Sequence, residues 1–165
     1  MFKFSKDENL IDVLKKSPDA MAELEGGCDY PEIEGKVLFY RTKCGVLVVT
    51  EVFGLPYDAC KCQERIFAFH IHEGENCCGN EKDHFAGAMG HLNLDDCPHP
   101  YHTGDMPPLF GNCGHAFSIF LTDRFFIKDI IGKTVIIHDK PDDFTTQPSG
   151  NSGEKIACGV IQCCK

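Results

Sequence analysis

The sequence lacks any long apolar run and any excess of basic residues, and both absences restrict its function. No apolar stretch approaches the ~20 residues that a membrane span needs, so we expect a soluble protein without a membrane partner. The 16 basic residues face 25 acidic ones, for a formal net charge of −9. This balance argues against nucleic acid as a partner and favours a small substrate.

The N-terminus also lacks the apolar segment of a signal peptide, because residues 1–10 carry charges where that segment would lie. This pattern predicts a cytoplasmic location. Without an export signal, the eleven cysteines indicate a reducing interior or metal thiolates rather than a disulfide scaffold.

The chain has the length of one ordinary domain, and its first part differs in pattern from the rest. Leu10, Ile11 and Leu14 are spaced for one helical face, and a second short helix is expected from Pro18 to Leu24. We therefore predict an N-terminal helical extension over residues 1–34, with a frayed polar segment as the alternative.

From Gly35 to the C-terminus no long amphipathic helix interrupts a series of short β-rich runs, which excludes parallel crossovers. Six strands are predicted, at residues 36–41, 46–53, 65–72, 116–121, 134–138 and 156–161. Residues 35–165 are thus predicted to form an antiparallel β-barrel or sandwich, with two further strands hidden.

Histidines cluster in and after the third predicted strand. His70 and His72 alternate with apolar residues, so both imidazoles share one face of the strand. His91, His99, His102 and Asp105 follow in a long irregular loop, and three imidazoles with one carboxylate suit tetrahedral zinc. A hydrated polar loop is the alternative.

Five segments in order carry a resemblance to a known family. They are Phe-His-Ile-His-Glu (69–73), Gly-His-Leu-Asn (90–93), His-Thr-Gly-Asp (102–105), the strand that ends at His138 (130–138), and Gly-Asn-Ser-Gly-Glu-Lys-Ile-Ala-Cys-Gly-Val-Ile (150–161). In these segments the chain resembles the copper/zinc superoxide dismutases, of the bacterial type. The resemblance implies an all-β fold, a Greek-key antiparallel β-barrel (immunoglobulin-like sandwich) of about eight strands.

The resemblance also implies the residues of two metal sites. Copper would be held by His70, His72, His91 and His138, and zinc by His91, His99, His102 and Asp105. His91 would then join the two metals through its two ring nitrogens. Asp142 matches the aspartate that accepts hydrogen bonds from one copper histidine and one zinc histidine, and Asp143 is its rival.

The family's structural disulfide maps onto Cys158 and Cys77, and Cys78 remains an alternative to Cys77. Two free thiols in a reducing cell are a further alternative. Lys155 stands where the family normally has an arginine beside copper. Lysine keeps the charge that attracts superoxide but lacks the planar two-pronged donor set.

The implied activity is that of an antioxidant oxidoreductase that disproportionates superoxide to dioxygen and hydrogen peroxide, with Lys155 and His91 as catalytic residues. Candidate partners are superoxide, a second copy of the chain and a copper-delivery protein. Lys155 and surplus cysteines such as the Cys60-Lys-Cys62 pair motivate a competing hypothesis, a copper store or donor without useful turnover. A third hypothesis is a β-barrel interaction module with structural zinc only.

Overall fold

The computed structural model describes residues 9–58 and 65–164, which form ten β-strands and three short helical segments. The strands are β1 (Ala20–Gly26), β2 (Glu34–Thr42), β3 (Gly45–Phe53), β4 (Ile66–Phe67), β5 (Phe69–His72), β6 (Leu109–Phe110), β7 (Ala116–Thr122), β8 (Thr134–His138), β9 (Lys155–Val160) and β10 (Gln162–Cys163). The α-helices are α1 (Leu10–Val13) and α2 (Ile127–Ile130), and a 3₁₀ turn spans Ala86–Ala88.

One antiparallel sheet in the order β5-β8-β9-β1-β2-β3-β7 makes up most of the structure, and β10 pairs with β1. β4 runs almost directly into β5 and pairs with β6, and β6 in turn contacts β7. The two ends of the sheet therefore approach each other, and the sheet curls around a single core. The connections from β3 to β5 and from β7 to β8 cross between those ends, as in a Greek key. The predicted all-β fold is confirmed.

Alternation along the strands decides which side chains enter the core. In β2 and β3 the buried Val37 and Phe39 face Thr50 and Val48 across the ladder. In β5, Phe69 and Ile71 are fully buried in the main cluster, so the intervening His70 and His72 point to the opposite face. The sheet thus supplies a rigid base for both histidines.

The helix predicted from Pro18 to Leu24 is wrong, because that segment contains most of β1. Ala20, Ala22 and Leu24 are buried at a period of two, which fits a half-buried strand. β1 pairs with β2 on one side and with β9 and β10 on the other. Pairing in the sheet therefore prevails over local helix signals, and the barrel includes a strand that precedes residue 35.

Within residues 9–34, the described part of the predicted helical extension, the structure shows one helical turn, α1, which Asn9 caps by accepting the Ile11 N–H at 3.0 Å. Val13 packs there against Tyr40 and Leu47, in a small cluster apart from the main core. None of the helices in the described ranges is long and apolar enough to cross a bilayer.

The single strand predicted at residues 65–72 is interrupted at Ala68. The Ala68 N–H donates to the Lys140 carbonyl at 2.8 Å, and the Ala68 carbonyl accepts the His138 N–H at 2.9 Å. The ladder between β8 and β9 shifts register at the same level, where His138 pairs with Lys155. This irregularity sets the direction of the His138 and Lys155 side chains at the end of the barrel.

Candidate metal centre

The long loop after β5 folds back onto that strand and brings its histidines to the sheet. His72 forms an isolated antiparallel bridge with His91, and His70 forms one with Asp105. The Ile71 N–H donates to the Gly104 carbonyl at 2.9 Å, and Gly104 lies so close that a Cβ there would overlap the Ile71 carbonyl oxygen. Glycine is therefore required for this close approach of two backbones.

Two groups of side chains that could each hold a metal ion result from this packing. Within each group the potential ligand atoms all lie within 4.8 Å of one another, and the first consists of His70, His72, His91 and His138. The second consists of His91, His99, His102 and Asp105. The structure thus brings together both sets that the family resemblance implies, with His91 in each.

Hydrogen bonds fix which nitrogen of the neutral imidazoles carries the proton. His72 Nδ1 lies 2.9 Å from the Met89 carbonyl oxygen, and His70 Nε2 lies 2.8 Å from an Asp142 carboxylate oxygen. These oxygens accept hydrogen bonds, so the opposite ring nitrogens present lone pairs. His70 Nδ1 and His91 Nε2 are buried and have no hydrogen-bond partner in the described part of the chain. Such orphaned lone pairs fit the chemistry of a metal-binding site.

In the second group, a lone pair of His99 faces the Asp105 carboxylate. His99 Nε2 lies 2.9 Å from Asp142, so His99 Nδ1 presents its lone pair to Asp105 at 3.0 Å. A lone pair that faces a carboxylate oxygen is repelled unless a cation lies between them. The Nδ1 atoms of His91 and His102 lie 2.8 Å and 3.6 Å from the same carboxylate. These four side chains form a donor set suited to zinc.

Asp142 connects the two groups by hydrogen-bonding to His70 through one oxygen and to His99 through the other. Burial raises the pKa of Asp142, but hydrogen bonds from His70, the Phe144 N–H and His99 outweigh it and lower the pKa to about 2. Asp143 instead accepts hydrogen bonds from Thr145 and Thr146 in an exposed turn. Of the two candidates, Asp142 has the bridging geometry.

Burial keeps His72 and His138 of the first group uncharged. Burial, together with the neighbouring imidazoles His70 and His91, lowers the pKa of His138 to about 3. Burial likewise lowers the pKa of His72 well below its usual value, with contributions from His138 and His91. Both imidazoles are therefore neutral at pH 7, which is the protonation state that binds a metal.

A cavity of about 700 Å³ leads to this centre, and its wall includes His72, His91 and His138. Lys155 lines the same cavity, as the family resemblance implies, but it does not stand alone there. Its ammonium nitrogen lies 2.6 Å from Asp83 Oδ2 and donates to the Phe85 carbonyl at 3.3 Å. No sequence pattern indicates Asp83, because it lies in an irregular loop without a motif.

Two residues outside the predicted set, Gln147 and Arg124, hold the loop that carries His99 and His102. Gln147 accepts the His99 N–H at 3.0 Å and donates to the His99 carbonyl at 2.7 Å. Arg124 donates to the carbonyls of Pro100 and His102 at 2.8 Å and 3.2 Å. Both contacts are to the backbone and span distant parts of the chain, so no local pattern indicates them.

The disulfide joins Cys77 to Cys158, as the resemblance implies, with Cα atoms 5.8 Å apart. Cys158 is buried against Phe85 and Ile136, and Cys78 is free and exposed. The bridge ties the loop that follows β5 to β9. Cys163 and Cys164 are exposed and form no disulfide within the described residues, and the Cys60-Lys-Cys62 pair lies outside those residues.

Comparison with known proteins agrees with this geometry. The family model for copper/zinc superoxide dismutase (SODC) matches residues 33–161. The chain is 34% identical over 146 residues to superoxide dismutase [Cu-Zn] 2 of Aquifex aeolicus, covering 79% of this chain and 80% of that protein. It is 34% identical over 137 residues to superoxide dismutase [Cu-Zn] of Legionella pneumophila, covering 80% of each chain.

A solved structure has the same fold. The crystal structure of a double mutant of a SOD-like protein from Bacillus subtilis superposes with a TM-score of 0.69 at 28% identity. The match covers 86% of this chain and 96% of that one. On the family model, the relatives and the two histidine groups, the chain belongs to the copper/zinc superoxide dismutase family.

Proposed function

We propose that this protein is a superoxide dismutase that converts two superoxide anions and two protons to dioxygen and hydrogen peroxide. The observation that carries the proposal is the shared position of His91, whose imidazole belongs to both metal-binding groups at the end of an open cavity. His70, His72, His91 and His138 would hold copper, and His91, His99, His102 and Asp105 would hold zinc.

When bound, copper supplies the one-electron oxidation and reduction of superoxide, and zinc supplies fixed positive charge without redox chemistry. The protein's own residues orient the histidine ligands and supply a proton. The Met89 carbonyl and Asp142 hold His72 and His70 in the tautomers that leave one lone pair for a metal. His91 Nε2, which is buried, can hold a proton for the product while it is not bound to copper.

Lys155 is the cation that we assign to attraction of the substrate anion. It begins β9 directly across the ladder from His138, so its charge lies beside the proposed copper site. A positive side chain at the end of a cavity raises the local concentration of an anion and its rate of association. The overall charge of −9 opposes this attraction, so the local field decides the rate.

The test is metal analysis of the purified protein together with a superoxide assay expressed per copper. A dismutase holds one copper and one zinc per chain and accelerates superoxide decay even with EDTA present, which suppresses the decay that free copper itself catalyses. A protein that binds copper without this acceleration is a store or donor. The ion pair of Lys155 with Asp83 and the seven cysteines of the described ranges that form no disulfide motivate that second candidate. A chain that binds only zinc would instead support the third hypothesis, a β-barrel interaction module with structural zinc.

Three further expectations stay predictions. A second copy of the chain and a copper-delivery protein are proposed partners, which analytical ultracentrifugation and a copper-transfer assay can test. The cytoplasmic location is tested by fractionation of the source cells, where a signal in the exported fraction alone would contradict it.

A further inference from the structure

An ion pair between Lys155 and Asp83 lies in the wall of the cavity that leads to the first histidine group. The two charged groups lie 2.6 Å apart, and their side chains are 15% and 39% exposed. Lys155 also donates to the Phe85 carbonyl, so two acceptors hold its ammonium group. A partly buried contact of this kind is less screened by salt than a surface pair.

Asp83 is itself held in place by the loop around it. Its second carboxylate oxygen accepts the Phe85 N–H at 2.9 Å, and its backbone N–H donates to the Asn80 side chain at 3.2 Å. Burial raises the pKa of Asp83, but hydrogen bonds from Lys155 and the Phe85 N–H lower it below its usual value. The carboxylate is therefore ionised and fixed against Lys155.

The other residues of the cavity wall do not replace the positive charge of Lys155 that Asp83 neutralises. The ionisable residues of the wall include more carboxylates than lysines. They are Asp29, Glu81, Asp83 and Glu154 against Lys82 and Lys155. Lys155 is the one of these lysines that pairs across the ladder with His138. An anion that approaches the metal group thus meets a largely acidic wall and a cation already occupied by Asp83.

We propose that Asp83 is a positioning residue that sets the affinity of this cavity for small anions, by holding the Lys155 ammonium group in an ion pair. The inference rests on the proposed function, in which Lys155 attracts superoxide. Removing the negative charge of Asp83 releases Lys155 to face the anion. The protein in its present form therefore works below the rate that its lysine would permit.

The experiment compares the wild type with Asp83→Asn, both loaded with copper and zinc. Asparagine keeps an oxygen for the Phe85 N–H but removes the charge that holds Lys155. Azide serves as the probe anion, titrated by the visible absorption of copper. We expect azide to bind about threefold more tightly to the variant, and superoxide decay to accelerate by a similar factor with a steeper fall in added salt.

Glu81→Gln is the matched control. It removes the same charge from the same cavity wall, and no ion pair of Glu81 occurs among the described residues. An equal gain in both variants would assign the effect to the general field and overturn the role of the ion pair. The double variant Asp83→Asn with Lys155→Met should lose the gain, because the released cation is then absent.

The outcomes separate the two proposals. If the wild-type protein decomposes superoxide no faster than copper–EDTA does, the proposed function fails, while the azide titration still tests Asp83. If azide binds Asp83→Asn no better than wild type, the inference on Asp83 fails whatever the activity. Should Asp83→Asn lose copper, Asp83→Ser, whose hydroxyl also accepts the Phe85 N–H, carries the same measurement.

Discussion

His72 and His138 bring their Nε2 atoms to 3.3 Å from each other although 66 residues separate them in the chain. The pairing of β5 with β8 puts His72 opposite Thr134 and leaves His138 beyond the other end of the ladder, so the two side chains converge from opposite ends. The burial of both rings keeps them neutral. His72 Nε2 presents a lone pair, so a neutral His138 can donate its Nε2–H to it, and a metal ion at this point displaces that proton. The predictions on metal content follow from this contact.

Replacing His138 by Ala should remove copper while leaving zinc and the fold in place, because His138 belongs only to the first group. Copper content should fall by at least about tenfold under competition with a chelator. Metal analysis and circular dichroism provide the measurement, and His102→Ala is the matched control that should lose zinc first. Retention of copper and full turnover in His138→Ala would refute the assignment. His91→Ala should disturb both metals.

Replacing Lys155 by Ala should slow superoxide decay by about twofold to fivefold and weaken its dependence on salt, because it removes a cation beside the site. Lys155→Arg should keep or raise the rate, since arginine retains the charge with a wider donor set. Stopped-flow assays at two ionic strengths measure both effects. Equal rates for wild type, Lys155→Ala and Lys155→Arg would show that the residue does not steer.

Reduction of the Cys77–Cys158 disulfide should lower the stability of the protein substantially. The bridge closes a loop with a sequence separation of 81 residues. The chain-entropy model gives about 4 to 5 kcal/mol for such a loop, a large share of the stability of one domain. Cys158→Ser should abolish the difference in melting temperature between oxidised and reduced protein, and Cys163→Ser should preserve it. A Cys158 peptide found free in oxidised protein would contradict the pairing.

The metal-free protein should lose stability in mild acid. The folded-state pKa of His138 is about 3, and that of His72 is also lowered, whereas unfolded histidine titrates near 6.5. The unfolded state therefore binds more protons below about pH 6.5, and stability falls from there toward pH 3, by up to about 1.4 kcal/mol per pH unit for each group. Urea unfolding at several pH values measures the slope. His138→Gln should reduce it, and His115→Gln, at a half-buried site away from the centre, is the control.

Arg124→Ala should weaken zinc binding by about tenfold without removing a ligand, because Arg124 holds the backbone carbonyls of Pro100 and His102. Zinc competition with a chromogenic chelator measures the change. Arg41→Ala, at an exposed position of β2, controls for the loss of charge. Partial rescue by Arg124→Lys is expected, and unchanged zinc affinity in Arg124→Ala would exclude the role.

The sequence alone indicated the strands at six predicted runs, from β2 to β9, and both histidine groups. Alternation at a period of two places His70 and His72 on one face, and the order of the five segments indicates the family and the remaining ligands. These signals are local, so they can be found without coordinates. The apolar alternation at Ala20, Ala22 and Leu24 was also present in the sequence, but nearby helix signals obscured it until pairing with β2 and β9 revealed a strand.

Only the tertiary structure decided which groups face each other across the chain. Lys155 and Asp83 are 72 residues apart, and Gln147 contacts a histidine 48 residues away. The same holds for the choice of Cys77 over Cys78 and of Asp142 over Asp143, since neighbours in sequence point in different directions once the loops fold. Such contacts depend on how separate loops pack on one sheet, and no periodicity or spacing within either partner's own segment specifies them.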